Sequence, residues 1–228
     1  ARFLARDDKG QLRHAQTTDF PLMLAKANVL RSWNLFLQPN TEYMWLTRDE
    51  LRALVPTNPT KGQQLKVDQA IAMRMARFHL TPQRATTSEG GIIHPKRVKE
   101  ARLMLKIESV TPQSILMKLE GRIHWGSDFD PTKATTPNGP LAQGFGTPID
   151  GRLEYDRKKK VFTRFDIVAL GDTWGRWGDA NGKSMYVERP GRSPFGFALE
   201  LATGNSPTDR IPPGGNGRYV TDRGYFRK

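Results

Sequence analysis

Three tryptophans carry most of the chemical promise in this chain. Trp125 follows His124 and precedes Gly126, while Trp174 and Trp177 stand three residues apart, each followed by glycine. Indole rings offer flat apolar faces and one N–H donor, so they line sites for apolar or extended ligands, with a few polar groups fixing orientation. Nearby in sequence, His124, Asp172 and Arg176 are such polar groups. The candidate ligand-binding set is therefore Trp125, Trp174, Trp177, His124, Arg176 and Asp172. The competing reading is a hydrophobic plug at the open end of a sheet, with the glycines permitting close backbone approach. Aromatic clusters are core more often than site, which favours the plug.

Other chemistry has thinner support. The histidines are His14, His79, His94 and His124, and none has an acidic or histidine partner at metal-ligand spacing. His79 falls near a predicted helix C-terminus, where the dipole favours a protonated ring. With no cysteine, disulfides, thiol catalysis and thiolate metal sites are excluded. Phosphate-loop and zinc-protease patterns are missing. Gly144-Phe145-Gly146 resembles a dinucleotide loop only until Ile149 takes the third glycine's place. Gly191–Gly196 resembles a nucleophile elbow, but Pro194 after Ser193 blocks the helix that must follow. Asp128 with Asp130, and Asp179 with Asn181, are fragments of calcium-loop spacing that read better as turns. No carboxylate pair is singled out for hydrolysis, and no cofactor is implied.

The elements that must position the tryptophans follow from periodicity. Arg2–Gln16 reads as a hairpin turning at Asp7, Asp8 and Gly10, and Trp33–Leu46 as two strands around Gln38-Pro39-Asn40; Asp19–Trp33 fits neither period. Thr47 and Glu50 form a capping box that opens a short helix, stopped by Pro56. Asp68 caps a second helix over Val67–Pro82, with Ala70, Ile71, Met75 and Phe78 as its apolar stripe and Arg74 and Arg77 assigned to the wet side. The period then changes to 2. Val98–Val110 and Ser114–Gly126 alternate around Thr111-Pro112-Gln113, and a second hairpin turns at Asp156–Lys160, its return strand ending near Leu170 before a glycine-bent loop. Pro194–Ala202 reads as the last strand. In a meander, Ser114–Gly126 and Val161–Leu170 run the same way, so the two Trp-Gly sites should meet at one rim.

The fold class expected is α+β: a mainly antiparallel, strongly curved sheet or partial barrel, a β-meander packed on two short helices. The expected organisation is one domain over residues 1–228: hairpins and helices to 82, a connector over 83–97, the meander over 98–202, and a basic Gly/Pro-rich tail over 203–228. The chain opens at Ala1 without an apolar leader, which reads as a trimmed start, and holds no apolar run long enough for a transmembrane helix. The hairpin Gly151–Gly171 resembles a common hairpin of secreted β-rich proteins. That resemblance alone leans the expected location toward extracytoplasmic.

Net charge is +13, a positive field that suits nucleic acid, anionic lipid or an acidic partner. Scattered basic residues without a recognised nucleic-acid motif place nucleic-acid binding second, with Lys158–Lys160 as its best contact. The leading expectation is a non-enzymatic binding or accessory domain that holds a small-molecule, extended or protein ligand at the aromatic rim. A carboxylate hydrolase stands third.

Overall fold

The computed structural model describes residues 2–14, 22–24, 42–81, 92–132, 143–177, 186–213 and 224–226. In chain order the strands are β1 (Arg2–Arg6), β2 (Leu12–His14), β3 (Leu22–Leu24), β4 (Gln64–Lys66), β5 (Val98–Val110), β6 (Ser114–Gly126), β7 (Gly144–Asp156), β8 (Val161–Trp177) and β9 (Tyr186–Leu199). Two short helices, α1 (Arg48–Ala53) and α2 (Gln69–Arg74), precede the long strands, and a π turn over Met75–His79 continues α2. The protein is mainly β. One antiparallel sheet runs β2-β1-β9-β8-β7-β6-β5-β4, with β3 also paired to β9.

The sheet is a meander, as the alternation predicts, but it is neither closed nor strongly curled, which corrects the expected curved sheet or partial barrel. Its path ends at the short strands β2 and β4.

The register explains why one face is so uniformly apolar. Ala101 pairs Ile123, Ile123 pairs Thr147, Phe145 pairs Thr173 and Ala169 pairs Phe197. Between the bulges near the strand ends, odd residues meet odd residues across the long strands, so period-2 alternation in each strand adds up across the sheet. Leu103, Leu105, Ile107, Ile115, Met117, Leu119, Ile123, Ile149, Leu153, Ile167 and Phe195 are all buried on this side. Ile71, Ala72, Met75, Ala76 and Leu80 from α2 and its π turn join them in one core.

Both helix starts form as their capping residues predict. The Thr47 side chain accepts from the Glu50 backbone N–H, and the Glu50 carboxylate accepts from the Thr47 N–H; the Asp68 carboxylate accepts from the Ala70 N–H. The first hairpin turns where expected, with Asp7 Oδ1 accepting from the Lys9 and Gln11 backbone N–H groups.

Several expectations change. Residues 42–46 are not strand, and the rest of the proposed Trp33–Leu46 hairpin lies outside the described residues. β8 does not stop near Leu170 but continues to Trp177, and β9 starts at Tyr186, before the predicted Pro194. The glycine bend becomes a β-bulge inside the pairing: the register shifts between Thr173 and Gly175, and Gly175 takes φ +87°, a left-handed conformation that L side chains resist. Arg74 is not on a wet face; it is 2% exposed.

Candidate functional site

The rim prediction separates into a part that holds and a part that the register overturns. β6 and β8 both run away from their hairpin turns, so Trp125 and Trp174 do reach the same end of the sheet. They do not share a face. Across the sheet Trp125 pairs with Phe145 and Phe145 with Thr173, whereas Trp174 pairs with Gly144. Cross-strand partners point the same way, so Trp174 stands one position out of phase with Trp125 and faces the opposite side.

Trp125 is fully buried on the helix side, where its Nε1 donates to the Leu80 carbonyl at 2.9 Å and its ring lies beside Phe145. It is a core residue that ties β6 to the end of the π turn. Trp174 lies on the bare side with His124 and Asp172, whose common cross-strand partner is Gly146. Its Nε1 donates to the Ser127 carbonyl at 3.1 Å, and the side chains of His124 and Phe129 lie against it. The Arg192 guanidinium sits over both the Trp174 and Phe129 rings and 3.9 Å from the Asp172 carboxylate.

This packing leaves Trp174 only 5% exposed. Gly144 makes it possible: a Cβ there would come within 2.5 Å of the indole ring. The Trp174 face is thus a small second core on the outer side of the sheet, closed by an arginine. Arg176 and Trp177 pair through their backbones with Glu188 and Val187, and their side chains lie outside the described part of the structure.

Ionisable groups border this cluster. The Asp128 carboxyl is held below its usual value by the Lys99 ammonium, which donates to it at 2.8 Å, with the same charge adding Coulombic attraction. His124 Nε2 is buried without a hydrogen-bond partner, 3.8 Å from Asp128 Oδ1, beyond hydrogen-bond reach. Among the described residues, no three His, Asp or Glu side chains gather as a metal site would require.

The bare face itself carries a lattice of ion pairs. Lys118 pairs with Asp150, Glu100 with Arg102 and Arg122, Arg152 with Glu108, and Arg164 with Asp166. One region breaks the lattice. Val168 is 53% and Leu170 39% exposed on β8, with Ala198 paired to Val168 on β9 and Pro148 on the neighbouring β7, both exposed. This apolar strip adjoins Asp172 and the Trp174 cluster along β8.

The densest polar network lies elsewhere, on the helix side. An α-helix brings residues three and four apart to one face; the wider π turn brings His79 round to the side of Arg74. Both reach Tyr225, in the short segment Gly224–Phe226. Arg74 Nε donates to the Tyr225 carbonyl at 2.8 Å, its two terminal nitrogens grip the Glu50 carboxylate at 2.6 and 2.9 Å, and its guanidinium lies over the Tyr225 and Phe226 rings.

The Tyr225 hydroxyl accepts from the Trp45 backbone N–H at 3.0 Å and lies 2.6 Å from His79 Nε2. His79 Nδ1, on the other side of the ring, faces the Glu42 carboxylate at 3.7 Å, and which ring nitrogen carries the proton sets the direction of the Tyr225–His79 bond. Burial pushes the phenol well above its ordinary pKa. For Glu50, burial acts to raise the pKa, but the bonds from Arg74 and Thr47 outweigh it and the net shift is downward.

Sequence reasoning missed this clasp and the roles of Phe129 and Arg192. Tyr225 lies 146 residues from its partner His79, and no local periodicity carries that contact. No family model, curated protein or solved structure matches this chain.

Proposed function

We propose that this protein is a non-enzymatic binding domain that docks a protein partner on the bare face of its sheet, at the end marked by Trp174. The observation that carries this reading is the strip Pro148, Val168, Leu170 and Ala198, apolar and exposed at strand positions that face solvent. A strand with one wet face normally places polar residues there, so four apolar ones in adjacent rows form a patch of the kind that contacts partners. The surrounding charges are already paired with each other. Such a surface suits a partner with an apolar centre and a mixed polar rim, and suits a polyanion poorly.

The tryptophan cluster serves this face from beneath. Trp174, Phe129 and Arg192 stiffen the rim, and Asp172 and Arg192 supply an exposed ion pair at the edge of the strip. Their role is to position, and the contact is made by Val168 and Leu170.

The test is selection of a displayed peptide library against the full chain. Enriched peptides should carry an apolar centre, and the double substitution Val168→Asp, Leu170→Asp should weaken their binding by on the order of tenfold or more. Both side chains are exposed, so the variant's melting curve should match the parent's. Peptides insensitive to the double substitution would sink the proposal. So would sedimentation showing that the parent self-associates through this strip and the variant does not.

A further inference from the structure

The opposite end of the sheet carries a second surface with different chemistry. β7 and β8 are joined by Arg157-Lys158-Lys159-Lys160, four consecutive cations that are all exposed. The turn is built rather than loose. Asp156 Oδ1 accepts from the Lys158 and Lys159 backbone N–H groups, the Lys160 N–H donates to the Asp156 carbonyl, and Lys160 takes φ 57° to close the turn. Arg157 is tied to the neighbouring β5–β6 turn, its backbone N–H donating to Gln113 O and its guanidinium to Thr111 O. The four residues therefore sit on a fixed platform spanning two adjacent hairpin turns.

The contrast with the bare face is in the partners. There most of the lysines and arginines sit beside carboxylates, Lys106 excepted. At the tip, none of Lys158, Lys159 and Lys160 forms an ion pair among the described residues. The nearby carboxylates are already engaged or few: Asp156 is occupied by the turn's backbone and Glu108 by Arg152, which leaves Glu154. Lys61 adds a further exposed cation, in a loop tied to β5 where the Gly62 N–H donates to Ile107 O.

Apolar side chains accompany these charges. Val161, directly after the run, is 48% exposed, and Leu116, two residues into β6, is 39% exposed. The local aromatic rings are largely engaged in packing: Tyr155, Phe162 and Phe165 meet edge to face and are partly buried against the core. Unpaired cations beside exposed aliphatic side chains, with the rings turned to one another, match the headgroup region of an anionic bilayer better than single-stranded nucleic acid, which is held by stacking as well as charge.

We infer that the β7–β8 tip docks the protein on anionic lipid surfaces, with Lys158, Lys159 and Lys160 on the headgroups and Val161 against the acyl boundary. The attraction is electrostatic and reversible. No helix among the described residues is long and apolar enough to cross a membrane, and the tip needs none. It lies at the far end of β8 from the partner strip, so both surfaces can be engaged at once.

The experiment is co-sedimentation of the full chain with vesicles of phosphatidylcholine alone and of phosphatidylcholine mixed with phosphatidylserine, at low and physiological salt. The parent should pellet with the anionic vesicles only, and less as salt rises. Each lysine neutralised (Lys158→Gln, Lys159→Gln, Lys160→Asn) should weaken binding by about fivefold. Val161→Ser should weaken it further without altering the salt dependence. All four are exposed, so melting curves should stay unchanged and loss of binding will not report loss of fold. Equal binding to neutral vesicles, no binding of the parent to anionic ones, or full binding by the triple variant overturns the inference. Retention on a single-stranded oligonucleotide that the triple variant loses, with no vesicle binding by the parent, reassigns the tip to nucleic acid and overturns it equally.

Discussion

On the helix side of the sheet Arg74 is 2% exposed, is held by Glu50, two backbone carbonyls and two aromatic rings, and has no water to fall back on. On the bare side Lys118 and Asp150 form an equally short pair, at 2.6 Å, but the aspartate is mostly exposed and solvent can replace either partner. Equal distances therefore carry unequal consequences. A buried charge that loses its partner keeps its full desolvation cost, while an exposed one rehydrates. The helix side uses charge to lock one long-range arrangement, whereas the bare side carries its ion pairs where water can replace either partner, around an exposed apolar strip.

Removing partners from each side tests that contrast. The largest effect is expected for Glu50→Ala, which strands the Arg74 guanidinium and removes half of the capping box. A loss of about 3–5 kcal/mol in denaturant unfolding is expected. Replacing both members, Arg74→Met with Glu50→Leu, should recover a large part of it. A double variant as damaged as the single one would mean that the clasp depends on more than charge pairing.

Tyr225→Phe comes next. It keeps the ring stacking but leaves the Trp45 N–H and His79 Nε2 without their partner, at about 1–3 kcal/mol. The pH profile sharpens this. The Tyr225 pKa is raised in the folded state, so its contribution is present below the unfolded value of 10.0 and is lost as pH rises beyond it. The parent's stability should fall above about pH 10, and the Tyr225→Phe variant should show a flatter alkaline limb. For Glu50 the sign reverses. A lowered folded pKa means stability present above the unfolded value of 4.5 and lost as pH falls below it, so Glu50→Gln should flatten the acid limb.

On the bare side, Gly144→Ala pushes a methyl group into the Trp174 ring and the Ser127 carbonyl, neither of which can yield cheaply. An overpacking cost of about 1–3 kcal/mol is expected, with a red shift in tryptophan emission as Trp174 is displaced. The smallest effect belongs to Lys118→Ala, expected within about 1 kcal/mol of the parent. A loss as large as that of Glu50→Ala would erase the distinction between the two faces.

Much of this was local enough to be read in advance. The strands β5 to β8, the turn at Asp156–Lys160 and the caps at Thr47 and Asp68 depend on neighbours a few residues away, where periodicity and turn chemistry act. The candidate site was half legible. Strand direction brings Trp125 and Trp174 to one end, and direction follows from the number of hairpins. Which face each occupies depends on cross-strand register, and one residue of phase moved Trp125 into the core while His124, Asp172 and Trp174 stayed on the other side. The bulge at Gly175 could be suspected from composition but not located within a continuing strand.

The sequence by itself therefore determined the alternating ribbons, the helix starts, the absence of thiol chemistry and the strongly basic character, because each is a property of residues close along the chain or of composition. Only the tertiary structure decided that Arg74 is buried, that Tyr225 closes over it, that the sheet stays open, and that Lys158, Lys159 and Lys160 stand at one hairpin tip without an ion pair among the described residues. Those outcomes depend on which distant groups meet once the chain is packed, and burial and pairing, not residue type, set what a charge or an indole does there.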